Sequence, residues 1–309
     1  MHHLPHWDLT NVYPSLESPE FDAAVVAVQQ QIAAHKAVVH DVAFSPRGDI
    51  LASCSTDGRV CLSDLQTGKL LHNLEAGAPP MRHLKFSPDG DLLVGSGDDG
   101  SVRLWQTATG ALLHQLRVPA GGIVQAVFSA DGRSLAAGSY GQILLWDAVS
   151  GNRLALLERT RQGVYGLAFS PDGSLLAVGG NSHVSLWDIA AGEELAVMLG
   201  HRGGVWKVAF SPDGQTLATL ASGQTVRLWH VPTRRELFTL LRSDRPLNWL
   251  QFTSPHTLLV GMAPDEQGVS EVAVFAGNAI TEADGSRMGP TSRSSQAEPA
   301  DSPRYVDDL

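Results

Sequence analysis

Three groups of residues in this chain have types that could do chemistry: histidines crowded at its start, two cysteines, and aspartates set in short glycine-bearing turns. His2, His3 and His6 are metal-ligand types, yet no patterned element holds them in place, so no metal site is expected there. Cys54 and Cys61 flank the turn at Asp57-Gly58, a spacing that lets them sit opposite each other across a hairpin. Two cysteines in 309 residues are no disulfide framework, and reduced, packed thiols are expected. Asp57 and Asp99 each precede a short apolar run, where a carboxylate caps backbone N–H groups of a tight turn. Gly95 to Gly100 and Gly179-Gly180 would cradle phosphate only if a helix followed, but runs ending in Trp105 and Trp187 follow instead. No G-x-S-x-G motif or ordered triad pattern accompanies the serines and histidines, so neither a catalytic set nor a cofactor is expected.

The elements that must position these residues come from a repeat. Phe44, Phe86, Phe128, Phe169, Phe210 and Phe252 are separated by 42, 42, 41, 41 and 42 residues. Five of them are followed by one turn sequence, read as Ser45-Pro46-Arg47-Gly48, Ser87-Pro88-Asp89-Gly90, Ser129-Ala130-Asp131-Gly132, Ser170-Pro171-Asp172-Gly173 and Ser211-Pro212-Asp213-Gly214. A period of this size means one supersecondary unit copied and stacked. The fifth copy reads strand by strand: Val205 to Phe210, Thr216 to Leu220, Thr225 to Trp229 and Glu236 to Leu241, rich in Val, Leu, Thr and aromatics and joined by turn residues. Such a four-stranded antiparallel sheet has two apolar faces and must pack against its neighbours around an axis.

A formal charge of -10 argues against a nucleic-acid backbone as partner, and no apolar run is long enough for a membrane span. With no leader pattern visible, a cytoplasmic location is the expectation. Residues 278–309 are poor in apolar side chains and are expected to be disordered. Residues 1–33 lie outside the repeat. There Ser18 as N-cap and Pro19 at the first helical position open a helix, with Phe21, Val25, Val28 and Ile32 on one face. The alternative is that Gln29 to Ala34 form an outer strand closing the sixth sheet against residues 271–276. The middle, 34–277, is the repeat domain.

The apolar runs ending in Trp105, Trp146, Trp187 and Trp229, with Trp146-Asp147 and Trp187-Asp188, resemble those of WD-repeat β-propellers. The resemblance covers roughly 35–276 and implies an all-β propeller of about six four-stranded blades, the sixth degenerate. It also implies a buried histidine–serine–aspartate–tryptophan network. His35, Ser55 and Asp57 match in the first copy, where Ser63 replaces the tryptophan. In the fifth, His201 and Trp229 match, while Ala221 and Gly223 stand at the polar positions. Incomplete networks imply modest stability. Partner contacts in the family tend to lie four residues before the phenylalanine, which here gives His40, Arg82, Val124, Tyr165, Trp206 and Asn248. A second set lies in the turn before the third strand: Thr56, Asp98, Ser139 and Ser222. The function implied is a non-catalytic scaffold that binds a peptide or domain of another protein on that face.

Trp7-Asp8-Leu9 and the run from Val12 through Phe21 are similar to the amino-terminal start of oligoendopeptidase F type metallopeptidases. That chemistry needs H-E-x-x-H on a helix, and no His-Glu pair occurs in the chain. A fusion or recombination that placed a peptidase start before a propeller accounts for both features, and a wrongly assigned start site would look the same. A chimeric or truncated product without independent role, or a peptidase-related enzyme, are the alternatives to the scaffold.

Overall fold

The computed structural model describes residues 35–75, 80–119, 123–139, 141–157, 163–263 and 271–276, together with Val26 and Gln29. Strands β1 (Val39–Phe44), β2 (Ile50–Ser55), β3 (Arg59–Asp64) and β4 (Leu70–Glu75) form the first sheet. The second is β5 (Met81–Phe86), β6 (Leu92–Gly97), β7 (Ser101–Gln106) and β8 (Leu112–Arg117). The third is β9 (Ile123–Phe128), β10 (Ser134–Ser139), β11 (Gln142–Asp147) and β12 (Arg153–Leu157). The fourth comprises β13 (Gly166–Phe169), β14 (Leu175–Gly179), β15 (His183–Asp188) and β16 (Glu193–Leu199). The fifth comprises β17 (Val205–Phe210), β18 (Thr216–Ala221), β19 (Thr225–His230) and β20 (Arg235–Arg242). A sixth sheet has β21 (Leu247–Ser254), β22 (Thr257–Met262) and β23 (Glu271–Ala276). Every strand pairs antiparallel with its chain neighbour, and the first strands of successive sheets pack on one another, so the sheets follow as propeller blades. The four strands expected of the fifth copy agree with those observed to within about one residue.

The repeated turn is built by its serine and aspartate. Ser87 Oγ donates to Asp89 Oδ1 and accepts the N–H of Leu92 at 2.9 Å, while Asp89 also accepts the N–H of Asp91 at 3.0 Å. The same bonds recur at Ser129–Asp131, Ser170–Asp172 and Ser211–Asp213. Blade 1 has Arg47 at the aspartate position, and Asp49 takes the serine proton instead, at 2.6 Å. The fourth turn residue has φ between 70° and 75° in all five copies, which only glycine adopts without strain.

Five apolar cores lie between successive blades. In the first, Trp105 of blade 2 packs with Ala52, Cys54, Val60, Leu62 and Leu74 of blade 1. Trp146, Trp187 and Trp229 do the same in the next three, and the fifth joins Leu220 and Leu228 to Leu250, Phe252 and Val260. The other face of blade 1 carries Leu51, Ser53, Ser55, Cys61 and Ser63, all buried. It contributes to none of the five cores among the described residues.

One expectation is corrected. Cys54 faces Val60 and Cys61 faces Ser53 across the hairpin, so the cysteines are offset by one position and point to opposite faces. Neither is in a disulfide and both are buried, and burial raises the thiol pKa of each. The helix expected over 19–33 is represented by Val26 and Gln29, which are helical and exposed; its remaining residues lie outside the described ones. So do the alternative strand Gln29 to Ala34, apart from Gln29, and residues 1–25, which hold His2, His3, His6 and the peptidase-like run. Residues 278–309 also lie outside. No helix among the described residues is long and apolar enough to cross a membrane.

Candidate partner-binding face

Each position four residues before a repeat phenylalanine is a backbone irregularity. In blades 1, 2, 3, 5 and 6 the pairing of the first two strands slips across His40, Arg82, Val124, Trp206 and Asn248, which are left out of the ladder. In blade 4 the N–H of Tyr165 bonds the Gly179 carbonyl at 2.8 Å while Gly166 pairs with the same residue. A β-bulge redirects the side chain it carries and is common next to binding sites.

The structure brings most of these residues together in two groups. On blades 1 and 2, Arg82 Nη1 lies 2.8 and 3.1 Å from the ring nitrogens of His40, and Arg82 Nε donates to Asp98 Oδ2 at 2.6 Å. Burial, reinforced by the Arg82 charge, lowers the His40 pKa, so the ring is neutral at pH 7. The Arg82–Asp98 pair is well exposed, so it stabilises the fold little and can exchange partners at small cost. On blades 4 and 5, the rings of Tyr165 and Trp206 stand 4.6 Å apart, tilted by 47°. Trp206 is 46% exposed, so this pair offers surface to solvent instead of filling a core. Gly163 lets the Tyr165 ring lie against its backbone, since a Cβ there would come within 2.8 Å of the ring. Asn248 is half-buried in blade 6 and joins neither group. Of the second set, Thr56 is exposed in its turn, whereas Ser139 is fully buried and presents no surface.

Beneath the bulges, the first strands carry polar and charged residues outside the repeat pattern: Asp41, His83, Lys85 and Lys207. Their signal in the sequence is a charged residue one or three positions before the repeat phenylalanine, in a strand otherwise apolar. Asp41 accepts the N–H of Val42 at 3.0 Å and, across the blade boundary, that of Leu84 at 2.9 Å. Gln125 reaches Leu167 N in the same way at 3.4 Å. His83 Nδ1 lies 3.8 Å from Asp41.

The histidine networks are fuller than the spacing implied. His35 Nε2 lies 2.7 Å from Ser53 Oγ, not Ser55, and its Nδ1 is 3.1 Å from Asp57, which also accepts the N–H groups of Lys36 and Arg59. Ser55 instead accepts the N–H of Asp57. In blade 5, Thr219 and Thr225 fill the polar roles in place of Ala221 and Gly223. Thr219 Oγ1 is 2.7 Å from His201 Nε2 and accepts Trp229 Nε1–H at 2.8 Å, and Thr225 Oγ1 is 3.3 Å from His201 Nδ1. The serine or threonine thus stands two residues earlier in the strand than the spacing suggested, where its hydroxyl is within reach of the ring. Trp187 Nε1, by contrast, is buried without a partner. Among the described residues, no three His, Cys, Asp or Glu side chains gather as metal ligands.

No curated protein matches the chain. The family model for the WD domain, G-beta repeat, matches residues 27–64, 68–106, 110–147, 151–188 and 192–230. The second to fifth matches each take in the outer strand of one blade and three strands of the next; the first places residues 27–34 where those outer strands stand. With five matches over more than half of its length, on sheets of the corresponding architecture, the chain belongs to the WD40 repeat family.

Proposed function

We propose that this protein is a non-catalytic interaction scaffold that holds a peptide or domain of another protein on the face formed by the bulged residues. WD40 repeats are typical of interaction scaffolds and generally non-enzymatic, which supports the coarse reading. The observation that carries the finer one is the Tyr165–Trp206 pair, with Trp206 exposed, on the same rim as the exchangeable Arg82–Asp98 contact. Paired aromatics bury much area with few rotors and keep a polar handle, the properties of residues that dominate binding energy. Partners captured on the immobilised full chain would be identified by mass spectrometry, purified and titrated against wild type and Tyr165→Ala/Trp206→Ala. The double variant is expected to weaken binding by about 2 kcal/mol or more while melting close to wild type. Equal affinity of a folded double variant would overturn the assignment.

A further inference from the structure

The side of blade 1 turned away from blade 2 is buried, and none of the five cores accounts for it. In blades 2 to 5 a leucine of the second strand stands opposite a tryptophan of the third: Leu93 and Trp105, Leu135 and Trp146, Leu176 and Trp187, Leu217 and Trp229. Leu51 holds that place in blade 1, and opposite it stands Ser63. A serine covers far less of a leucine than an indole does, yet Leu51, Ser53 and Ser55 are 0% exposed, Cys61 7% and Ser63 6%. Blade 6 packs on blade 5, and β21 does not pack on β1 as the other first strands pack on their neighbours. The remaining source of cover is the chain outside the described residues.

Two observations select residues 7–21 within it. His35 Nε2 lies 2.7 Å from Ser53 Oγ, so the chain leading to His35 arrives on this very face. Six of the seven tryptophans stand in described strands, and Trp7 is the one outside. Leu9, Val12, Tyr13, Leu16 and Phe21 follow it, whereas residues 278–309 carry few large apolar side chains. The WD40 match begins at residue 27 and gives this run no place in the repeat. Even with a helix of about 22 Å over 19–33, the residues from Trp7 onward can extend about 40 Å, enough to fold back to the face.

We infer that residues 7–21 dock on this side of blade 1, with the Trp7 indole laid on Leu51 beside Ser63 and its N–H directed to Ser53 Oγ. Blade 5 makes the same bond within one sheet. There Thr219, which bonds His201 as Ser53 bonds His35, accepts Trp229 Nε1–H at 2.8 Å. The segment supplies from outside the repeat the indole that β3 lacks, and an indole is well held where its ring is buried and its N–H bonded.

The two thiols report on this face separately, because Cys61 lies on it and Cys54 lies in the core shared with blade 2. In the full chain, Trp7→Ala is expected to raise the rate of maleimide labelling at Cys61 about tenfold or more under native conditions, with Cys54 unchanged, as read by peptide mass spectrometry. A second measurement serves in case this variant loosens the whole blade: the full chain carrying p-benzoylphenylalanine at position 7 is irradiated and its crosslinks are mapped. Crosslinks to residues 50–64 of the same molecule are expected, and they decide the matter if both thiols become reactive. Cys61 labelling unchanged by Trp7→Ala, or crosslinks confined to other blades, would overturn the inference. A crosslinked dimer would overturn it too, by assigning the face to a second copy of the chain.

Discussion

Thr219 satisfies two buried groups with one hydroxyl, accepting the Trp229 N–H and bonding His201 Nε2. Burial, with the Arg227 charge adding to it, lowers the His201 pKa to about 4, so the ring is neutral and able to accept the threonine proton. The folded pKa lies below the unfolded value of 6.5, so the unfolded chain takes up the proton first as pH falls. Stability from this group is therefore complete above pH 6.5 and is lost as pH drops toward about 4, by on the order of 3 kcal/mol. Urea titrations across that window should show the loss in wild type and its absence in His201→Gln. The turn carboxylates act lower. Serine hydrogen bonds hold Asp89, Asp131 and Asp172 below 3.8, and what they contribute is lost only as pH falls under that value. Thr219→Val, nearly isosteric, should destabilise by about 2 to 4 kcal/mol by leaving Trp229 and His201 unpaired, while Thr219→Ser should recover most of it. Sequence pointed to Ala221 in this role. Residues 219 and 221 share a face of the strand, and only hydrogen-bond reach selects between them.

At the level of strands and turns, the repeat was legible because its determinants are local. Ser-Pro-Asp-Gly encodes a hydrogen-bonded turn whatever surrounds it, and alternating apolar residues encode strands that match the observed ones closely. The bulges were not legible, since His40, Arg82 and Trp206 look like ordinary strand residues until the partner strand's register is known. The role of Asp41 was hidden for the same reason: Leu84, whose N–H it accepts, belongs to another blade. The close approach of the inner strands gives a test. A Cβ at Gly166 would lie 3.0 Å from the Trp206 carbonyl oxygen and 3.4 Å from Lys207 N, so β13 and β17 must part to admit one. Gly166→Ala is expected to destabilise by about 1 to 3 kcal/mol and to disturb the Tyr165–Trp206 geometry, readable in tryptophan fluorescence. Unchanged melting with unchanged fluorescence would show that the strands separate freely.

Across the whole molecule, stability is a sum over blades and the cores between neighbours. Deleting residues 243–277 would strip the partner from Ala218, Leu220, Val226 and Leu228, all 2% exposed or less, and should lower the melting temperature sharply. Deleting 279–309, a stretch chosen on composition alone, should leave it unchanged. Equal melting of both truncations and the full chain would move the domain boundary away from residue 277. Blade 1 carries the least expected consequence. Where four later blades bring an indole to the preceding neighbour, it brings Ser63, backed by Ser53 and the His35–Asp57 pair. Hydroxyls and an imidazole welcome water far more readily than an indole does. Blade 1 is therefore expected to open before the other blades under heat or denaturant, and amide exchange no faster in β2 and β3 than in β18 and β19 would show that it does not.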